Sequence, residues 1–142
     1  MAIELACYEF PWSRGNFADS IAEGYRCQGL FAPAPDAESV PVLLGYCIAM
    51  RGVDEVHLLN IAVAPAAQGQ KVAVLLLQQL CAWARLENLD FLWLEVRRSN
   101  LRAQKLYLDF GMHSVGLRKN YYRTATGHED ALVMNYQLAP QF

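Results

Sequence analysis

The sequence predicts a mixed α/β (α+β) fold: a single twisted, mostly antiparallel sheet carrying helices on both faces. Three observations predict it. Residues 56–63 alternate apolar and polar positions, then meet Ala64-Pro65, the loop Gln68-Gly69-Gln70 and a long amphipathic stretch. A second alternating stretch, residues 91–96, leads through Ser99-Asn100 into another helical pattern that stops at Gly111. Further strand-like runs stand upstream, at residues 25–31 and 42–50, and downstream, at 114–118 and 131–138. With 142 residues the chain is expected to form one domain, 1–142, because two cores would be hard to fit.

Taken in order, residues 2–9 read as the end of a helix that Phe10-Pro11 breaks, and Ser13 can cap a second helix running to about Gly24. Residues 25–31 and 42–50 form strands around a proline-rich surface loop at 32–39. Gly52-Val53-Asp54 turns the chain into the strand 56–63, where His57, Leu59, Ile61 and Val63 share one face and Leu58, Asn60 and Ala62 the other. The next helix is expected over about 69–87, with Val72, Leu76, Leu80 and Trp83 along one stripe and Leu75 and Leu86 beside it. Strand 91–96 puts Phe91, Trp93 and Glu95 on one face. Helix 100–110 ends at Gly111, a residue suited to a left-handed C-terminal cap. Two last strands flank a tyrosine-rich, glycine-containing loop.

Composition excludes several classes. Hydrophobic residues make up 54% and charged residues 18%, enough apolar surface for a core and too little charge for disorder. A net charge of −2 gives no general nucleic-acid footprint, although Arg97-Arg98 and Arg102 form a local basic patch that can serve phosphates. Apolar runs are too short to span a membrane, and the N-terminus lacks the basic and apolar regions of a signal peptide. The four cysteines, Cys7, Cys27, Cys47 and Cys81, show no metal spacing and no two histidines do, so no metal is expected; three of the cysteines sit in apolar or strand-like contexts, so they read as buried free thiols, which suits a reducing cytoplasm. His57 reads as a polar residue at a sheet surface.

Three places can carry chemistry. A glycine-containing loop before a helix offers unpaired N–H groups to a phosphate, or it is an ordinary strand–turn–helix connection. Gln68, Gly69, Gln70, Lys71, Val72, Ala73 and Val74 occupy that place. Glu95, at the apolar end of its strand, is either a solvated carboxylate or a general base. Asn100 and Tyr107 fall on one face of their helix, two turns apart, and Tyr107 is either a packed aromatic or a proton donor. Glu129 and Asp130 either recognise an amine or cap their loop, and Tyr121 and Tyr122 either line a groove or pack the last strands.

Taken together, Asn60-Ile61-Ala62-Val63, Gln68-Gly69-Gln70, Trp93-Leu94-Glu95-Val96-Arg97, Ser99-Asn100, Leu106-Tyr107, Asn120-Tyr121-Tyr122 and Gly127-His128-Glu129-Asp130-Ala131 closely resemble bacterial ribosomal-protein-alanine N-acetyltransferases, the RimI type of the GNAT superfamily. The match runs from about residue 56 to 138, and Phe10-Pro11-Trp12-Ser13 extends it upstream. The resemblance implies acetyl transfer from acetyl-CoA to the N-terminal alanine amine of a ribosomal protein or similar peptide, directly in a ternary complex, in the cytoplasm. It implies that Ile61, Ala62 and Val63 lie along the pantetheine arm, that residues 68–74 hold the pyrophosphate and that Asn100 binds near the thioester. Glu95 matches the family's general base and Tyr107 its general acid. Action on a small amine or a lysine, or a degenerate CoA-binding interaction module, are the alternatives. No nucleic acid and no membrane partner are expected.

Three departures from the family pattern bear on this. Lys71 and Ala73 stand where relatives carry glycines; alanine at 73 is a common variant, but at 71, if the position needs a positive φ, a Cβ costs roughly 1–2 kcal/mol. Arg123 follows the paired tyrosines in place of a proline. The chain also opens inside what would be the first helix, which leaves room for a homodimer covering an exposed sheet edge.

Overall fold

The computed structural model describes residues 1–139. Along the chain run α1 (Ala2–Cys7), α2 (Arg14–Ala22), β1 (Arg26–Ala32), β2 (Val42–Arg51), β3 (Glu55–Val63), a 3-10 turn (Pro65–Ala67), α3 (Val72–Leu86), β4 (Phe91–Arg97), α4 (Leu101–Phe110), β5 (His113–Arg123) and β6 (His128–Gln137). The strands make one six-stranded mixed sheet in the order β1-β2-β3-β4-β6-β5. β1 and β2, β4 and β6, and β5 and β6 pair antiparallel, whereas β3 and β4 are parallel. That parallel pair follows from the connection between them: parallel strands need a long crossover, and α3 supplies it. No helix among the described residues is long and apolar enough to cross a membrane.

The described residues pack as two compact units, Met1–Met50 with Asn60–Leu80, and Arg51–Leu59 with residues 81–139. The division falls inside β3 and inside α3.

In the first unit, Ser13 caps α2 as its sequence position predicts. Ser13 Oγ accepts the Asn16 N–H at 3.1 Å, and Asn16 Oδ1 accepts the Ser13 N–H at 2.8 Å, a reciprocal box that satisfies two otherwise unpaired donors. β2 needs a glycine at position 45. A Cβ there would lie 2.8 Å from the Ala62 carbonyl oxygen and 3.1 Å from Val72 Cγ1, so no side chain fits. Glu4 of α1 is buried at 1% exposure. Its carboxyl group accepts the Trp12 backbone N–H at 2.8 Å, the Asn60 amide at 2.9 Å and the Tyr46 hydroxyl. Burial, reinforced by the bond to Glu4, pushes the Tyr46 phenol well above its ordinary range.

Three expectations are corrected. α3 begins at Val72, not at 69, because Gln68–Lys71 forms a turn with Gly69 at φ +81° and Lys71 at φ +64°. Its buried residues are Val72, Leu76, Leu77, Leu80, Cys81 and Ala84, while Leu75 is 43% and Leu86 84% exposed. The helix is apolar almost all round, so periodicity alone did not select its inner face. The tyrosine-rich loop is largely strand: β5 continues through Tyr121 and Tyr122, and the turn is confined to residues 124–127. Within that stretch Asn120, at φ +55°, makes a bulge inside β5, where its N–H bonds Asp130 Oδ1 at 3.0 Å.

Candidate functional site

The first unit contains the segment expected to hold a cofactor. The last turn of β3 is finished by side chains: the Tyr8 hydroxyl donates to the Ile61 carbonyl, and the Val63 carbonyl accepts the Cys7 thiol at 3.2 Å and the Gln68 amide at 3.2 Å. Gln68 thus closes the loop on itself. Ala62 is buried between its half-buried neighbours Ile61 and Val63. Gln70 donates to the Ala66 carbonyl at 3.4 Å. Lys71 is exposed, and its carbonyl accepts the Leu75 N–H at 3.1 Å, so α3 opens with the N–H groups of Val72, Ala73 and Val74 ahead of any carbonyl four residues back. A Cβ on Gly69 would meet nothing within 4 Å, so the turn is open on that side. Open space, positive-φ turn residues and a fifteen-residue helix behind them suit a pyrophosphate.

Lys71 is in the conformation that disfavours a side chain. Lys71→Gly removes a left-handed penalty of roughly 1–2 kcal/mol, partly offset by greater unfolded-chain freedom, so it raises stability by up to about 1 kcal/mol. It also lets an anion approach the backbone at that position, and calorimetric titration is expected to show tighter acetyl-CoA binding. Weaker binding would mean that the ammonium itself holds the phosphate.

The second unit holds the candidate acid–base residues. The parallel register of β3 and β4 runs from Glu55↔Phe91 to Leu58↔Leu94, so Glu95 stands one residue past its end, while β4 stays paired with β6 through Glu95↔Val133 and Arg97↔Ala131. The Glu95 side chain is only 6% exposed. One carboxylate oxygen, Oε2, lies 2.5 Å from His57 Nε2, and the other, Oε1, lies 3.3 Å from Arg118 Nε. The His57 ring is stacked flat on Trp93, with centroids 3.7 Å apart and planes within 7°. The Arg118 guanidinium also lies over Tyr121, 5.5 Å from its centroid. Tyr107 is buried in α4. Burial, then the Glu95 carboxylate, push the Tyr122 phenol up, with Tyr107 adding to the rise and Arg97 opposing it. Tyr122 therefore lies within electrostatic reach of both Glu95 and Tyr107.

The turn between β4 and α4 is pinned. Arg97 bonds Glu129 Oε1 at 2.8 Å and the Arg123 carbonyl at 2.9 Å, and its guanidinium lies over the Tyr122 ring at 4.5 Å. Glu129 also accepts the Ser99 N–H at 3.2 Å, Arg98 lies 3.6 Å from Asp130, and Gln104 donates to the Arg97 and Arg98 carbonyls. Glu129 and Asp130 therefore cap this turn, and Arg97 and Arg98 are paired with them. Asn100, exposed, uses its side-chain oxygen to cap α4 through the Ala103 N–H at 3.1 Å. Gly111 ends that helix at φ +114°.

Of the four cysteines, two rather than the expected three are buried, Cys47 and Cys81; Cys7 is half-buried and Cys27 is exposed. Burial pushes the Cys47 thiol up to about 12 and the Cys81 thiol up to about 11, so neither offers a thiolate at neutral pH. Among the described residues no three potential metal ligands come together. The reading of His57 as a surface residue is corrected: its side chain is 12% exposed and bound to Glu95. Alternation on one strand could not reveal it, because the partner lies on a neighbouring strand.

The sequence profile of the acetyltransferase (GNAT) family matches residues 1–112. The chain belongs to the acetyltransferase (GNAT) family. This acetyltransferase is 37% identical over 132 residues to the ribosomal protein bS18-alanine N-acetyltransferase of Salmonella typhimurium, covering 93% of this chain and 84% of that one. It is 36% identical over 133 residues to the protein of the same name from Haemophilus ducreyi, covering 93% and 87%. The crystal structure of the ribosomal-protein-S18-alanine N-acetyltransferase from Escherichia coli superposes with a TM-score of 0.83 at 33% identity, covering 99% of this chain and 86% of that one.

Proposed function

We propose that this acetyltransferase, acting as one domain over residues 1–142, acetylates the N-terminal alanine amine of a ribosomal protein, in the cytoplasm where that protein is made. The observation that carries the reading is the Glu95 carboxylate, shielded from solvent and fixed by His57 and Arg118 within electrostatic reach of Tyr122. The relatives' shared acceptor supports the choice of substrate.

Acetyl-CoA supplies an activated acyl group. Residues 61–63 hold its pantetheine arm through backbone groups, Gln68, Gly69, Gln70, Lys71, Val72, Ala73 and Val74 hold its pyrophosphate, and Asn100 binds near the thioester. Glu95 takes the proton that the substrate ammonium must lose before its nitrogen attacks, and Tyr107 gives a proton to the departing thiolate. Magnitudes favour an α-amine. Neutralising an N-terminal ammonium at pH 7 costs about 1 kcal/mol, whereas a lysine costs about 5 kcal/mol. A single carboxylate in contact with one guanidinium suits the smaller task.

Incubation with acetyl-CoA and three acceptors tests this: a peptide with a free N-terminal alanine, the same peptide blocked at its N-terminus but containing lysine, and a free polyamine. Acetylation of the first alone is expected. Turnover of the lysine peptide or the polyamine in preference to it would overturn the reading.

A further inference from the structure

His57 is the titratable group that the functional reading leaves unused, and its surroundings are not those of a surface histidine. Its Nε2 is 2.5 Å from Glu95 Oε2, its ring lies flat on Trp93, and the pairing His57↔Trp93 puts it beside the strand that carries Glu95. We propose that His57 is the positioning residue of the proton acceptor, holding the Glu95 carboxylate in one rotamer so that Oε1 meets the substrate ammonium. The proposal rests on Glu95 being the general base.

The argument starts from the carboxylate. A glutamate side chain has three rotatable torsions, and a base is effective only when its oxygen is within hydrogen-bond reach of the proton it takes. Glu95 is one residue past the end of the parallel ladder, so regular strand packing on its β3 side does not hold it. Two contacts do. Arg118 reaches Oε1 at 3.3 Å from a side chain that is 49% exposed, a long and partly solvated contact. His57 reaches Oε2 at 2.5 Å from a ring that is itself fixed by its stack on Trp93. The histidine is the rigid support and the arginine the adjustable one. An ionised carboxylate accepts only, so the hydrogen must sit on Nε2 and His57 donates. The proton from the amine goes to Oε1, the N–H bond of the ammonium breaks as the O–H bond of Glu95 forms, and the His57 hydrogen stays on Nε2 throughout.

Two substitutions separate the hydrogen bond from the ring. His57→Phe keeps the stack on Trp93 and removes the donor, while His57→Gln keeps an N–H at nearly the same reach and removes the ring. With acetyl-CoA and the alanine-initiated peptide, His57→Phe is expected to lower kcat on the order of 10²-fold with KM for acetyl-CoA and the melting temperature unchanged, and His57→Gln to recover most of that loss. Retained kcat in His57→Phe, or an equal loss in both variants, would overturn the positioning role. The bond is also read apart from turnover. In ¹⁵N-labelled protein the His57 Nε2–H should give a slowly exchanging, downfield proton signal that vanishes in Glu95→Ala. Its absence from the wild type overturns this proposal and leaves the acceptor assignment standing. If the signal is present but kcat survives Glu95→Gln, the general-base reading fails, and the positioning role with it.

Discussion

Glu95→Gln is expected to lower kcat for an alanine-initiated peptide by about 10²–10⁴-fold at pH 7 while acetyl-CoA still binds. Glutamine has the same shape and can keep an oxygen toward His57 or Arg118, but it cannot accept the substrate proton. The loss should shrink as pH rises. An N-terminal amine titrates near ~8, so above that pH the substrate arrives neutral and needs no base, whereas below it the neutral fraction falls about tenfold per pH unit. A pH–rate profile of kcat/KM for wild type and variant checks this. If the two profiles stay parallel from pH 7 to about pH 9, well past the amine pKa, Glu95 acts in some way other than taking that proton. Tyr107→Phe gives the companion measurement: the leaving thiolate is the same at every pH of the series, so its deficit should not close as the amine becomes neutral.

Much of this arrangement was legible in the sequence, and the failures have physical causes. Local rules worked where a structure depends on neighbouring residues only: Ser13 before α2, Gly111 after α4, and the alternation that puts Trp93 and Glu95 on one face of β4. They failed where a residue type has two uses. Asn120 falls in a stretch whose composition suits a loop, yet tolerance of positive φ also lets asparagine form a bulge within a strand. Glu129 and Asp130 suit both substrate recognition and capping, and the positions of Arg97, Arg98, Ser99 and Asn120 decide for capping. His57 is hidden from the sequence for a different reason. Its meaning depends on the register His57↔Trp93 between two parallel strands joined by a crossover helix, and no pattern within either strand encodes that register.

The segment before α2 shows how a buried polar group can organise chain that has no regular structure of its own. Glu4→Ala is expected to destabilise the protein by about 2–4 kcal/mol, because the Trp12 N–H, the Asn60 amide and the Tyr46 hydroxyl each lose an acceptor in partly or fully buried positions, at roughly 1–3 kcal/mol for a fully buried donor. Recovering the desolvation cost of the carboxyl group offsets part of that sum, which is why the expected loss is below three full donors. For a chain of this length the midpoint of thermal unfolding should fall on the order of 10 °C. Glu4→Gln provides the contrast. Its amide keeps one oxygen as acceptor but turns an NH₂ toward a group that also donates, so it should lie between wild type and Glu4→Ala. The two substitutions also separate stability from geometry. Asn60 immediately precedes Ile61, and Trp12 immediately precedes the Ser13 cap, so Glu4 ties the entry to α2 to the strand end read as the pantetheine site. If that tie sets the strand end, Glu4→Gln should weaken acetyl-CoA binding at a temperature where it is still fully folded. Unchanged affinity in a folded Glu4→Gln would confine the role of Glu4 to stability.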